Sequence, residues 1–277
     1  MVGEDEKVSF SSRWLYSCKG AIGERNQLNV GLRTRSGQTI VVIKGEIDHS
    51  NVGELAEAVQ EIGGQGGATV LLDLSDVTYV DSAGLTAIYD LAHQTAGMGP
   101  LEVTGVSPCL WRILEVAGLT VDERVRVVRK PGQPEAAADV VRPRPARRPG
   151  PQSQTRVFSP SFDQLAHIRD FVEEVAADSD LDLERAFDLK VAVSEASANA
   201  IEHGRGHGNL EVSARRSRGR LTVTVSHPGS FRPRADDDPA RAHRGMGLPL
   251  MLALTNELTV TCPSQGGTSV SLSMFLA

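Results

Sequence analysis

Residues 70–92 read VLLDLSDVTYVDSAGLTAIYDLA, and the change of pattern inside this stretch decides the fold of the first half of the chain. Val70 to Leu74 is a short apolar run rich in strand formers, whereas Ala83 to Ala92 carries apolar residues at three- and four-residue spacing, as amphipathic helices do. A strand that feeds a helix is the building unit of an α/β sheet. Asp81 and Ser82 stand at the junction, which places Ser82 at a helix N-terminus.

The same alternation extends outward in both directions. Ile40 to Lys44, Ala68 to Leu74, Leu101 to Thr104 and Val125 to Val128 are predicted strands, and Val52 to Ile62 and Pro108 to Ala117 are predicted helices. An α/β domain is therefore expected over residues 28–130. Residues 1–27 lack a sustained period and are read as a leader, although Trp14, Leu15 and Tyr16 can pack on a neighbour. Residues 131–157 are interrupted by Pro131, Pro134, Pro143, Pro145, Pro149 and Pro151, so neither helix nor sheet ladder is expected there. The arginines of this tether (Arg142, Arg144, Arg147 and Arg148) are of a type that can grip an anion, but the segment is read as a solvated linker. A flexible tether of about 25 residues spans roughly 25 to 30 Å, which gives attached domains a millimolar mutual concentration.

A second domain is expected over residues 158–277. Phe162 to Ala177, Leu183 to His203 and the run to Leu254 read as helices; Asn209 to Arg215, Leu221 to Val225, Leu258 to Thr261 and Ser269 to Met274 read as strands. A charged, proline-containing segment, Arg232 to Arg244, precedes the last helix. The chain of 277 residues is long enough for two separate cores.

Composition excludes several function classes. The formal net charge is −6 at pH 7, which gives no general attraction to nucleic acid or to an anionic membrane. No run of about 18 to 20 apolar residues exists, and Met1 to Lys7 is acidic where a secretory signal is basic, so a cytoplasmic location is expected. Cys18, Cys109 and Cys262 are scattered and odd in number, which suits neither a disulfide framework nor a zinc site. A Gly-x-x-x-x-Gly-Lys-Ser/Thr phosphate loop is absent.

Three constellations carry chemistry. Ser82 is either the cap of its helix or a modifiable hydroxyl, since a phosphate there faces first-turn N–H groups and the positive end of the helix dipole. Modification beside Asp81 adds about two negative charges and alters any surface docked on the turn. Glu195, Asn199 and His203 recur every four residues and share one face of a largely apolar helix. Such a stripe meets solvent, a partner or a ligand. Gly245 and Gly247 open the last helix, either as hinges or as a backbone cradle for phosphate. His207 is spaced like a metal partner of His203, but no third or fourth ligand accompanies the pair.

Gly45-Glu46-Ile47-Asp48, Leu72-Asp73-Leu74 and Val80-Asp81-Ser82-Ala83-Gly84-Leu85 together resemble a STAS domain of the anti-sigma factor antagonist type. The resemblance implies that Ser82 is the phosphoacceptor, and that Asp81 and Asp48 belong to the switch surface. Asp48 also suits a plain turn or cap residue ahead of the Val52 helix. Further on, Glu195-x-x-x-Asn199-x-x-x-His203, His227-x-Gly229, Gly245-x-Gly247-Leu248 and Gly267-Thr268 resemble the nucleotide boxes of the GHKL ATPase superfamily, within it the anti-sigma factor serine kinases. This likeness implies an α/β sandwich of the Bergerat type, with ATP and Mg²⁺ as cofactors. It also implies that Asn199 holds Mg²⁺, Glu195 is the general base, Gly229, Gly245 and Gly247 line the nucleotide, and Thr268 lies near the adenine. A serine hydroxyl needs a carboxylate to take its proton, and an amide oxygen suits Mg²⁺.

One position departs from that family. His227 stands where an aspartate normally accepts the adenine amino group, a role open to a neutral imidazole and closed to a protonated one. Loss of a charged acceptor weakens binding by about 1.5 to 3 kcal/mol. The expected function is a partner-switching regulator of sigma factor activity whose Mg-ATP-dependent kinase domain phosphorylates Ser82 or its equivalent in a partner. The alternative is an adaptor that binds an antagonist or a sigma factor without catalysis. Expected partners are anti-sigma factor antagonist or anti-sigma kinase proteins and a sigma factor, and a homodimer satisfies the same transfer. A sensor histidine kinase is disfavoured, because His167 on one short helix does not make a dimerisation hairpin.

Overall fold

Strand and helix periods segregate into two units, residues 1–135 and 136–277, each with its own sheet. The computed structural model describes residues 13–17, 28–35, 38–63, 69–128, 153–204, 208–217, 219–229, 245–262 and 266–276. The tether arginines, His207, Ser230 and the segment Arg232 to Arg244 lie outside the described residues, as does Cys18.

In the first unit six strands lie side by side in chain order: β1 (Arg13–Ser17), β2 (Asn29–Arg35), β3 (Gln38–Ile47), β4 (Thr69–Val80), β5 (Leu101–Thr104) and β6 (Val125–Val128). β1, β2 and β3 pair antiparallel, and β3 to β6 pair parallel. Helices α1 (Val52–Gly63), α2 (Ser82–Thr95) and α3 (Pro108–Val116) make the connections that parallel strands require. Val41, Ile43, Leu72, Leu74, Leu85, Ile88, Leu91 and Ile113 fill the core. β4 extends six residues past the expected Leu74, because Val77, Tyr79 and Val80 are buried and pair with β3 from Gly45 to Ile47. β1 falls within the segment read as a leader and forms the sheet edge.

The second unit is built from β7 (Ser153–Phe158), α4 (Leu165–Asp178), α5 (Leu183–His203), β8 (Leu210–Ser217), β9 (Arg220–His227), α6 (Gly247–Leu254), β10 (Glu257–Thr261) and β11 (Thr268–Phe275). Its five strands are antiparallel in the order β10-β11-β9-β8-β7. All of β7 but its last residue lies inside the expected tether, and that residue, Phe158, is the one that is buried. Along β9, Leu221, Val223, Val225 and His227 are buried while the residues between them are partly exposed. α5 packs on β9 and β11, with α4 and α6 against it. The opposite sheet face carries cross-strand hydroxyl pairs, Thr222–Ser273, Thr224–Ser271 and Ser226–Ser269, each at 2.9 Å. Among the described residues no helix is long and apolar enough to cross a membrane.

Candidate functional site

The turn between β4 and α2 is built by its aspartate. Asp81 is the N-cap of α2, and its Oδ1 accepts the N–H groups of Ala83 at 2.9 Å and Gly84 at 3.1 Å. Ser82 is thus the first helical residue and not the cap, and its side chain is partly exposed. Two of the first-turn N–H groups that the sequence suggested for a phosphate at Ser82, those of Ala83 and Gly84, are already engaged by Asp81. Gly84 lets α2 approach the sheet, since a Cβ there would lie 2.8 Å from Ile47 and 2.9 Å from Val80.

Parallel pairing of Ile47 with Val80 brings Asp48 and Asp81 to neighbouring strand ends. Both carboxylates are buried. Asp48 Oδ1 accepts from the Ser50 N–H at 2.8 Å and the Ser50 hydroxyl at 2.5 Å, so it holds its own turn. The structure adds His49, which sequence reading missed: its N–H donates to Asp81 Oδ2 at 3.1 Å, and its Nδ1 lies 2.8 Å from the same oxygen. Adjacency to Asp48 was the only sign of His49 in the sequence.

In the second unit, Asp182 caps α5 by accepting from the Arg185 N–H at 2.8 Å. The helix then carries Glu195, Asn199 and His203 toward one end of the sheet. Glu195 is buried, Asn199 and His203 are partly exposed, and the solvent reading of the stripe therefore fails for its carboxylate. Gly247, the first residue of α6, lies against that carboxylate: a Cβ at this position would stand 2.6 Å from Glu195 Oε2 and 3.7 Å from Asn199 Nδ2. Among the described residues nothing lies within 4 Å of a Cβ built on Gly245. The two glycines that the sequence paired are thus unequal in their surroundings.

The other end of the stripe reaches β9. Gly204, which follows His203, packs on Gly229 so closely that a Cβ on Gly229 would lie 2.5 Å from Gly204 Cα. His227 is buried, and its Nδ1 accepts the Gly229 N–H at 3.1 Å. Burial, and after it the charge of His203, lowers the pKa of His227 below the usual histidine value. Thr268 is the register partner of His227, and its hydroxyl donates to the Gly229 carbonyl at 2.9 Å. Gly204 escaped sequence reading, although a glycine directly after a polar helix stripe was its available mark. A cleft of about 320 Å³ is lined by Glu211, Ser226, His227, Thr268 and Ser269 among others. Its serines belong to the outward hydroxyl rows, and Glu195, Asn199 and Gly247 take no part in it.

The arrangement can do defined chemistry. A buried carboxylate and an amide oxygen source lie one helical turn apart, about 6 Å along α5, beside a glycine that leaves room where a side chain would intrude. From Glu195 to His203 the helix rises about 12 Å, a length suited to an elongated ligand. Asn199 and the Gly247 backbone fit Mg²⁺ and phosphate by donor type.

Comparison with known proteins agrees with this division of the chain. Residues 158–274 match the family described as histidine kinase-like ATPase domain, and residues 30–128 match the STAS domain family. Among curated proteins none matches. Among solved structures, the RsbU and RsbW domains of a Mycobacterium tuberculosis protein are 22% identical over 45% of this chain, with a TM-score of 0.37. The match spans 32% of that protein's own length. An anti-sigma factor antagonist from Mycobacterium paratuberculosis is 20% identical, covering 35% of this chain and 84% of its own, with a TM-score of 0.34. The SiaB-SiaC complex from Pseudomonas aeruginosa is 14% identical, covering 44% of this chain and 88% of its own, with a TM-score of 0.35. The chain therefore joins a STAS domain, residues 30–128, to a histidine kinase-like ATPase domain, residues 158–274.

Proposed function

We propose that this protein is a partner-switching regulator of sigma factor activity in which the second domain is a Mg²⁺-dependent protein serine kinase. Its substrate is Ser82, or the matching serine of a STAS domain in a partner. The single observation that carries the reading is the buried Glu195 carboxylate set against Gly247 and beside Asn199. A kinase needs a carboxylate to take the proton of the acceptor hydroxyl, and the placing of Glu195 one turn from Asn199 and against the Gly247 backbone supports that role.

Asn199 would hold Mg²⁺ through its amide oxygen, and the metal would supply charge neutralisation at the phosphates. Glu195 accepts the serine proton as the serine oxygen takes the γ-phosphoryl group, and the nucleoside diphosphate leaves. The Gly247 backbone would face the phosphates, and a glycine is needed there because a Cβ would strike Glu195 Oε2. At Ser82, the new phosphate stands beside Asp81, whose oxygens are held by Ala83, Gly84 and His49. Repulsion between phosphate and carboxylate loosens this turn, which is the physical basis of the switch. Partners are proteins that dock over that turn: anti-sigma kinases or antagonists, with a sigma factor as the component released.

His227 favours one second reading, an adaptor that binds its partners without transfer, because an imidazole stands where the family accepts the adenine amino group. Labelled Mg-ATP separates the two. Label on Ser82 in the parent chain, lost in Glu195→Ala and in Ser82→Ala, is the kinase result. An unlabelled chain whose melting temperature does not respond to nucleotide is the adaptor result.

A further inference from the structure

The protonation of His227 is fixed by its neighbours. A backbone N–H can only donate, so the 3.1 Å contact from Gly229 requires a bare Nδ1. The ring cannot turn this edge elsewhere without losing the bond, and the edge lies close to two glycines, since Cβ atoms added to Gly204 and Gly229 would stand 3.3 and 3.0 Å from Nδ1. Burial and the nearby His203 keep the ring neutral. Its one proton then sits on Nε2, and among the described residues nothing accepts from that atom.

A neutral imidazole can in principle accept or donate. Here the accepting nitrogen is taken by Gly229, and what remains for a ligand is a donor. An aspartate at this position would present only acceptors, so the replacement inverts the polarity of the site and does more than weaken it. An exocyclic amino group brought against Nε2–H places two donors together, with both left unsatisfied. A carbonyl oxygen in the same place completes the bond.

We propose that His227 makes the base end of this site a hydrogen-bond donor, so that the domain takes a nucleoside triphosphate with a keto group at purine position 6, inosine or guanosine, in preference to ATP. The proposal rests on the reading of the second domain as a nucleotide site and names the base that site selects. Sites that pair with a polar substituent reject the analogue of opposite polarity because their own group is stranded.

Calorimetric titration of the full chain with ATP, ITP and GTP in Mg²⁺ tests the inference. ITP is the decisive probe, since at the base it exchanges the amino group for a carbonyl, with N1 gaining a hydrogen. ITP is expected to bind at least about tenfold more tightly than ATP, and His227→Asp to reverse the order by a similar factor. ATP binding as tightly as ITP, or more so, in the parent chain overturns the inference and leaves the nucleotide reading standing. Binding of none of the three removes the nucleotide reading itself, and the inference with it. Should His227→Asp fail to fold, His227→Asn serves: its amide accepts or donates, and the ratio should fall to within about threefold. An unchanged ratio in a folded His227→Asn chain also overturns the proposal.

Discussion

Asp81 and Glu195 are two carboxylates of nearly equal burial, 1% and 2% exposed, one in each domain. Asp81 faces two helix amides and the backbone and ring of His49, so its charge is spent on holding a turn. Glu195 lies tight against the Gly247 backbone, where a Cβ would stand 2.6 Å from Oε2. Burial alone therefore does not mark a reactive acid. What distinguishes the two is the setting of the oxygens, a helix cap for Asp81 and the backbone of a glycine beside Asn199 for Glu195.

The sharpest way to break this contrast is to neutralise each carboxylate in turn. Glu195→Gln should cut phosphotransfer by about 10² to 10⁴ and, with volume conserved, leave the unfolding free energy within about 1 kcal/mol. Single-turnover transfer and a denaturant titration read the two quantities. Asp81→Ala should do the reverse in the first domain, costing about 2 kcal/mol and speeding hydrogen exchange at Ala83 and Gly84. An Asp81→Ala chain of parental stability would remove the capping account.

A smaller effect tests the glycine in front of Glu195. Gly247→Ala puts a methyl group 2.6 Å from Oε2 and should weaken nucleotide binding about tenfold. Gly245→Ala, with nothing among the described residues within 4 Å, should change it less than twofold, a null control for steric intrusion. Equal losses at both positions would mean that backbone flexibility matters more than space.

The smallest effect concerns acid. Because His227 titrates below its unfolded value, the unfolded chain takes up the proton first as pH falls. Stability contributed by the neutral ring is thus present above about pH 6.5 and is lost as pH drops from there toward the folded value. A melting series across this range should show the decline, and His227→Gln should flatten it.

Much of this was legible in the sequence, for identifiable reasons. Leu101–Thr104, Val125–Val128 and Leu183–His203 have the bounds that their apolar periods predict, because each buries a well-defined stripe or row. β7 was hidden because its residues before Phe158 are mostly polar and exposed, and a proline-rich stretch runs up to it. β4 was cut short at Leu74 because Ser75 and Asp76 break the apolar run, although parallel pairing with β3 carries it to Val80. At the site, the four-residue spacing placed Glu195 and Asn199 on one face correctly. Nothing local could reveal that Asp81 and not Ser82 would cap α2, or that His49 would reach Asp81 from the turn after β3. Such partners are set by tertiary register, which a period of two or 3.6 does not encode.

The hydroxyl pairs on the outer face of the second sheet carry a final implication. Three matched rungs between β9 and β11 act as a ratchet: sliding one strand by a single residue would send hydroxyls into the oily layer and Val223, Val225 and Leu272 out to water. His227 and Thr268 are the register pair directly after Ser226 and Ser269, on the opposite, buried face. The alignment of the imidazole opposite the threonine is therefore indexed from the far side of the sheet, by residues that no ligand on the helical side would ever touch.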